Sequence, residues 1–503
     1  MRLHRLAFLL ALPFTAAAQR PDPLHGFDAY AEQARKEWRV PGMAVVVVKD
    51  DSVVFMKGFG VRELGKPDSV GVHTRFGNMS TTKAFTAMLV AMLADSGLLR
   101  FDDPVAAYVP DLRLADPYVT RELTVRDLLT HRLGFPDPYY LWDNTTLGFD
   151  EIVRRLRLVP VASSFRSRFA YNNVGYGLAG TIAGRAGGTT WQTLLRRRIL
   201  GPLGMTETAV DGAELAASGV TDVTAPHGIV RDTVRVLPAS AAVIDPVAPA
   251  GSMFSTASDM GRWLRFLLDS ARVNGRRLVS AERFAELFTA QQIVPPEEFY
   301  PTMRLTRPHV AAYGMGWFLE DYRGEFVAFH TGSIEGRSAI VGLIPDRRLG
   351  VAVFTNLDHA EVRHALMYTV FDRYLPAQAR PHDWSAELRT LYRAIADSAT
   401  QRRRDRDAKR VTGTRPSLPL DRYAGTYADS LFGIATVTRD GDHLTLQVGT
   451  QTGTLEHWQY DVFRVHWRDP FLGTDDVAFA LDPDGVVGAL RFVDAPNRYQ
   501  RSR

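Results

Sequence analysis

"GNMSTTKAFTAMLVAML" spans Gly77–Leu93. After Asn78 its residues are apolar or small, with the exception of Lys83, three positions beyond Ser80. A stretch apolar on nearly every side predicts a central, buried helix from Ser80 to Leu93, with Gly97 as its stop. Ser80 and Lys83 stand at i and i+3 and share one face of that helix. Two readings are open. In one, Ser80 is a helix N-cap and Lys83 a solvated first-turn residue. The third position after a Ser cap favours Glu or Gln, however, and the positive end of the helix dipole disfavours a cation there. In the other reading, dipole and burial both push the lysine toward its neutral amine. A neutral amine beside a hydroxyl is a general base, and Ser80 becomes an activated nucleophile.

The surroundings of this stretch set the fold class. "MAVVVVKD" (Met43–Asp50) and "SVVFMKGFG" (Ser52–Gly60) are β-branched runs that read as a hairpin turning at Asp50-Asp51. From about Phe101 to Arg307 the pattern is helices and loops. "LTVRDLLTHRLG" (Leu123–Gly134) carries a Thr124 cap and a Gly134 stop, and Thr256 and Asp259 have capping-box spacing. Strands return in "EFVAFHTG" (Glu325–Gly332), "SAIVGLIP" (Ser338–Pro345) and "LGVAVFTN" (Leu349–Asn356). Strands at both ends of a helical middle predict one sheet closed by distant segments with a helical insertion beside it, an α+β architecture. Residues 379–416 read as a charged, solvated linker helix, because Asp405 and Asp407 interrupt the basic run "QRRRDRDAKR". Beyond "TRPSLPL" the period changes to two. "GIATVTRDGDHLTLQV" and "DVAFALDPDGVVGALRF" are hairpins, so residues 417–503 form a separate all-β unit, a barrel.

Bulk properties narrow the function. The 503 residues carry a formal charge of only +4, too balanced to imply a nucleic-acid partner. There is no cysteine, so disulfides, thiolate nucleophiles and Cys-ligated zinc are excluded. "MRLHRLAFLLALPFTAAAQ" has Arg2 and Arg5, an apolar run from Leu6 to Phe14 and an Ala16-Ala17-Ala18 cleavage site. It reads as an export signal over residues 1–18, which implies a periplasmic or secreted protein. No other segment offers the ~20 apolar residues of a membrane anchor.

Two more clusters accompany Ser80 and Lys83. "RFAYNNVGYGLAG" holds Tyr171 and Asn173 as Y-x-N, and "FHTGS" holds His330, Thr331, Gly332 and Ser333 at the end of a strand. S-x-x-K, Y-x-N and a basic residue-Thr-Gly, in that order, resemble the serine β-lactamase and penicillin-binding-protein superfamily. The wide spacing is similar to the branch with class C β-lactamases, D-peptidases and esterases. "LTVRDLLTHRLGFPD" and "PAGSMFSTASDMGRWLRFL" also resemble that branch. The resemblance covers Phe27 to Leu375 and implies a hydrolase domain over 26–378, with an antiparallel sheet flanked by helices.

The resemblance implies that Ser80 attacks a carbonyl and forms an acyl-enzyme, Lys83 takes its proton, and Tyr171 relays protons to the leaving group and from water. It implies that Asn173 bonds Lys83 and the substrate amide, that His330, Thr331 and Gly332 line the substrate site, and that the backbone N–H groups of Ser80 and Ser333 form the oxyanion hole. No metal or other cofactor is implied. The substrate would be a small molecule or peptide. A lysine at the third motif is permanently cationic, whereas His330 is neutral at many pH values and a poorer carboxylate anchor. That favours a D-amino-acid peptidase, amidase or esterase. The alternatives are a class C type β-lactamase and a penicillin- or peptidoglycan-binding sensor that acylates once. The C-terminal unit, starting "LDRYAGTY", is similar to lipocalin-like barrels appended to such hydrolases. Trp458, Phe463, Trp467 and Phe471 are candidates to line a pocket there, although core packing explains most of them.

Several motifs fail their context. "GYGLAG" (Gly175–Gly180) lacks a preceding strand, so its glycines read as helix-packing positions. Pro67 in "GVRELGKP" replaces the magnesium-binding Ser or Thr of a phosphate loop. His359 and His364 are five apart, the wrong spacing for a helical zinc pair. His131, just before Gly134, reads as a helix-end histidine complementing the dipole.

Overall fold

A computed structural model describes residues 22–143, 145–378, 381–495 and 497–502. The export segment read in residues 1–18 lies outside the described residues. Among the described residues, no helix is long and apolar enough to cross a membrane.

The chain opens with helix α1 (Phe27–Glu37) and the hairpin β1 (Gly42–Lys49) and β2 (Ser52–Gly60). Helix α2 (Thr82–Asp95) follows, then the helical region with α3 (Tyr139–Trp142), α4 (Asn173–Ala186) and α5 (Ala257–Leu268). Strands β3 (Gln292–Ile293), β4 (Ala311–Tyr313), β5 (Phe318–Tyr322), β6 (Glu325–Ile334), β7 (Arg337–Ile344) and β8 (Leu349–Thr355) complete one antiparallel sheet. Its order is β2-β1-β8-β7-β6-β5-β4-β3, so the N-terminal hairpin joins the late strands through β1 and β8. Both faces of the sheet are covered. Ala44, Val46 and Val48 enter the core shared with α2 and the helical region, while Met43, Val45 and Val47 enter the core beneath α6 (Val362–Tyr374). Burial on both sides explains a run of valines without apolar/polar alternation.

Helix α7 (Trp384–Asp407) corrects the expectation of a solvated linker. Trp384 and Leu388 are fully buried, and Leu391 and Tyr392 pack on the same core. These four positions form one apolar stripe at helical spacing, which the charged residues between them obscure. The far end of α7 is solvated and tied to the β-rich C-terminal unit, where Arg464 pairs with Asp407 at 2.8 Å.

That unit is a closed eight-stranded antiparallel barrel. It comprises β9 (Gly425–Asp429), β10 (Gly433–Asp440), β11 (His443–Val448), β12 (Gln451–Gln459), β13 (Val462–Trp467), β14 (Thr474–Leu481), β15 (Val487–Phe492) and β16 (Tyr499–Arg501), with β16 returning to β9. Its four aromatic candidates separate. Phe463 is in the filled interior, and Trp467 sits at the mouth, where its Nε1 donates to Asp475 at 2.7 Å. Trp458 lies between the guanidiniums of Arg410 and Arg464, and Phe471 packs on Gly228 of the helical region. The mouth abuts the hydrolase part: the Tyr140 and Phe432 rings are 4.2 Å apart, and Arg155 donates to the Leu431 carbonyl.

Candidate active site

Helix α2 begins at Thr82, two residues later than the apolar pattern predicts. Met79, Ser80 and Thr81 form a 3-10 turn between the short strand Phe76–Gly77 and α2. Ser80 is therefore not an N-cap. Met79 has φ 49°, a left-handed conformation uncommon for a side chain that is not glycine. Such strain concentrates where the chain must present a reacting group. Hydrophobic periodicity cannot distinguish this turn from the helix it leads into.

Lys83 is fully buried, and three oxygens surround its Nζ: Ser80 Oγ at 3.0 Å, Asn173 Oδ1 at 2.6 Å and the Ala250 carbonyl at 2.8 Å. A neutral amine has two N–H donors and one lone pair. The two carbonyl oxygens can only accept, so they take the two N–H groups. The lone pair is left for the Ser80 hydroxyl proton. Burial drives the Lys83 amine well below its ordinary pKa, and the charge of Asp137 opposes that shift in part. The Ala250 carbonyl is fixed in turn, because Thr86 Oγ1, one turn along α2, donates to Pro249 O at 2.7 Å. A Cβ at Gly180 would lie 2.2 Å from the Pro249 ring, so that glycine of "GYGLAG" lets α4 pack against this segment.

Tyr171 lies just before α4, with its ring centroid 4.8 Å from Lys83 Nζ. Burial raises its phenol well above the ordinary value, with the Ser80 hydroxyl opposing that shift. It is a neutral O–H at physiological pH. His131 corrects the helix-end reading. The helix it was assigned to ends at Leu129, and His131 is itself buried with φ 56°. Its ring lies 4.4 Å from that of Tyr171, and its Nδ1 accepts from the Asn172 backbone N–H at 3.0 Å. Burial, with the nearby Lys83 and His330, holds it neutral, so it supports Tyr171 by packing and adds no charge.

The cap of α4 is Asn172, whose side chain accepts from Gly175 N at 2.8 Å. Asn173 is thereby freed to bridge inward. Its Oδ1 faces Lys83, and its Nδ2 donates to Asp137 Oδ2 at 2.7 Å and toward the Tyr139 phenol. Both ends of this amide are used within the protein.

Strand β6 forms the other wall. A Cβ on Gly332 would lie 2.4 Å from the Ser80 backbone nitrogen and 2.6 Å from Met79 Cβ, so only glycine permits this approach. His330 turns away into the core. Its Nδ1 donates to the Thr331 carbonyl at 2.6 Å, leaving Nε2 to accept from the Tyr313 hydroxyl at 3.0 Å. Burial pushes it down to about 3, so it is neutral. Thr331 Oγ1 donates to the Tyr300 hydroxyl at 2.6 Å. Ser333 Oγ accepts from Arg363 at 2.9 Å.

Ser80, Tyr171 and Thr331–Ser333 line one cleft of about 420 Å³. Tyr139, Tyr300, Arg363 and, from α7, Tyr392 line it too, and none of these was singled out in the sequence. Arg363 is buried and paired with Glu361 at 2.9 Å, while His359 is paired with Asp358. Among the described residues, no unpaired cation lines this cleft. Asp137 was also missed. It lies in "LGFPDPYY", 36 positions from the Asn173 amide it holds.

A buried amine aimed at a serine hydroxyl, at the floor of a cleft, defines a serine hydrolase. The beta-lactamase family matches residues 27–372, and this chain belongs to it. A domain of unknown function, DUF3471, matches residues 409–501, the barrel. Unguisins hydrolase ungD of Aspergillus violaceofuscus is 29% identical over 516 residues, covering 93% of this chain and 88% of that protein. Protein flp of Staphylococcus aureus is 22% identical over 359 residues, covering 67% of this chain and 64% of its own length. Among solved structures, the octameric penicillin-binding protein homologue from Pyrococcus abyssi superposes with a TM-score of 0.63 at 23% identity, covering 95% of this chain and 99% of that one. SurE superposes with a TM-score of 0.57 at 21% identity over the same shares.

Proposed function

We propose that this hydrolase cleaves an amide or ester through an acyl-enzyme on Ser80. The observation that carries this reading is the placement of the Lys83 Nζ, fully buried and 3.0 Å from Ser80 Oγ, with the Asn173 and Ala250 carbonyl oxygens as its two other partners. Lys83 removes the hydroxyl proton as Ser80 Oγ attacks the substrate carbonyl. The developing oxyanion sits between the backbone N–H groups of Ser80 and Ser333, brought together by the close approach at Gly332. Tyr171, a neutral phenol beside both groups, passes a proton to the leaving nitrogen or oxygen. In deacylation the same groups run in reverse, with water as nucleophile.

The substrate we assign is an uncharged or amine-bearing acyl compound, a D-amino-acid amide, peptide or ester, and not a β-lactam. A β-lactam brings a carboxylate, and the cleft meets it with an Arg363 already paired with Glu361, a His359 paired with Asp358, and Glu297 and Glu298, while His330 faces the core. The relative named Unguisins hydrolase, similar along nearly the whole chain, fits a hydrolytic activity. We further propose export with cleavage after Ala18. N-terminal sequencing of protein from its native host that begins at Gln19 supports this, and a sequence beginning at Met1 contradicts it.

The reading is tested by following a p-nitrophenyl ester, a D-amino-acid p-nitroanilide and a chromogenic cephalosporin with the wild-type and Ser80→Ala proteins. Expected is steady turnover of the ester or anilide that falls by at least about 10³-fold in Ser80→Ala. Undiminished turnover in the variant overturns the mechanism. A burst without turnover on all three substrates favours the sensor, and fastest turnover of the cephalosporin favours the β-lactamase.

A further inference from the structure

We propose that Asp137 is a positioning residue for the proton transfer: by accepting both the backbone and the side-chain N–H of Asn173, it fixes that amide so that only its oxygen faces Lys83. The inference rests on Lys83 acting as the base of Ser80, and concerns what makes it point the right way.

The two ends of an asparagine amide have nearly the same shape and opposite polarity. If the Asn173 amide were turned over, an N–H would face Lys83 Nζ. The amine would then turn its lone pair to Asn173 and an N–H to Ser80, a polarity that cannot remove the serine proton. The environment of Lys83 alone does not decide between these states, because its Nζ can donate or accept. Asp137 decides it. A carboxylate only accepts, and Asp137 Oδ2 lies 2.7 Å from Asn173 Nδ2, so the flipped amide would set two oxygens against each other in a buried site. The carboxylate is itself held. Oδ1 accepts from the Asn173 backbone N–H at 2.9 Å, Oδ2 accepts from Trp142 Nε1 at 3.1 Å, and the Asp137 N–H donates to the Tyr171 carbonyl at 3.0 Å. The relay Ser80–Lys83–Asn173–Asp137–Trp142 therefore has one allowed polarity.

Asp137 also acts by charge. It is the one group that favours the protonated form of Lys83 against burial. Burial pushes Asp137 itself up to about 6. The titratable groups facing the pair are His131, His330, Tyr139, Tyr140, Tyr171 and Tyr176. The two histidines are held neutral below their ordinary range and the four phenols above theirs, with burial the first cause in each. Near neutral pH, Asp137 is thus the group of this cluster whose charge changes, beside a Lys83 that burial holds well below its ordinary value.

The test is Asp137→Asn in the full-length protein, with wild-type and Ser80→Ala run beside it on the ester across pH. Asparagine keeps the shape but presents an N–H as readily as an oxygen, and it carries no charge. Expected is a kcat lower by about 10- to 100-fold with KM within about threefold. The acid limb of the kcat/KM profile should also move to lower pH by about one unit, because Lys83 loses its attractive neighbour. An unchanged kcat, or a fall in kcat with the limb unmoved or moved upward, overturns the proposal, since a merely structural asparagine would not shift a titration. If the Ser80→Ala protein retains activity, it is the base-and-nucleophile reading that fails. If Asp137→Asn does not fold, Trp142→Phe removes one donor to the carboxylate and should shift the limb in the same direction by less; no shift overturns the proposal.

Discussion

The sheet-and-helix part of this chain and its barrel bury different things. The former buries Lys83, Asp127, His131, Glu320, His330, Glu361, Arg363 and His364. The barrel fills its interior with Tyr423, Tyr427, Leu444, Leu446, Phe463, Val465 and Val477, and Asn497 is the one polar side chain buried in it among its described residues, tyrosines apart. Burying a titratable group costs free energy unless it is fully partnered. In the hydrolase part several such groups converge within reach of Ser80, where a neutral amine and a fixed amide have chemical use. In the barrel none do. The barrel's interior is filled by these side chains, and its mouth rests on the segment that carries Tyr139 and Tyr140.

Substitutions in the two parts should separate activity from stability. The largest effect is expected for Lys83→Met, which removes the amine and keeps the volume. Ester hydrolysis should fall by at least about 10³-fold while calorimetry shows a melting temperature within a few degrees of wild type. A large melting shift with residual activity would reverse the contrast. Gly332→Ala comes next. Its Cβ would press on the Ser80 nitrogen from 2.4 Å, and kcat should drop about 10²-fold through displacement of the serine turn. Phe463→Ala in the barrel should do the opposite. It should cost about 3–5 kcal/mol in denaturant unfolding of the barrel while kcat per folded molecule stays within threefold.

The smallest effect involves pH. Glu320 is buried, accepts from the Tyr368 hydroxyl at 2.6 Å, and burial pushes it up to about 8. A raised carboxyl binds its proton more tightly in the folded state. Its contribution is favourable below the ordinary carboxylate range and is lost as pH rises toward 8. Glu320→Gln keeps the acceptor and removes the titration. Differential scanning calorimetry should show the variant melting a few degrees above wild type at pH 8, with the gap closing by about pH 4.5. A gap that widens on acidification would contradict the sign.

Much of this is legible in the sequence. The hairpins at Asp50-Asp51 and Asp440-Gly441 and the succession β6, β7, β8 follow from β-branched runs and turn residues. S-x-x-K, Y-x-N and H-T-G stand at recognisable spacing. Strands β3 to β5 were missed because they are two to five residues long and are specified by successive pairing, β5 on β6, β4 on β5 and β3 on β4, not by local pattern. The serine turn was read as helix because a 3-10 turn has no periodicity of its own. His131 was misplaced because a histidine before a glycine looks the same whether it ends a helix or packs on a tyrosine. Asp137, Arg363, Tyr392 and the Ala250 carbonyl belong to the site through contacts 57 to 312 positions from Ser80, which no local pattern encodes.

The proposed chemistry requires a covalent acyl-Ser80 formed with the help of Lys83. Intact-protein mass spectrometry on samples acid-quenched during ester turnover, followed by peptide mapping, tests it directly. Predicted is a mass increase equal to the acyl group, mapped to Ser80, that rises before steady state and disappears when substrate is exhausted. Continued hydrolysis with no such adduct at any quench time, or an adduct mapped to a different residue, would contradict it.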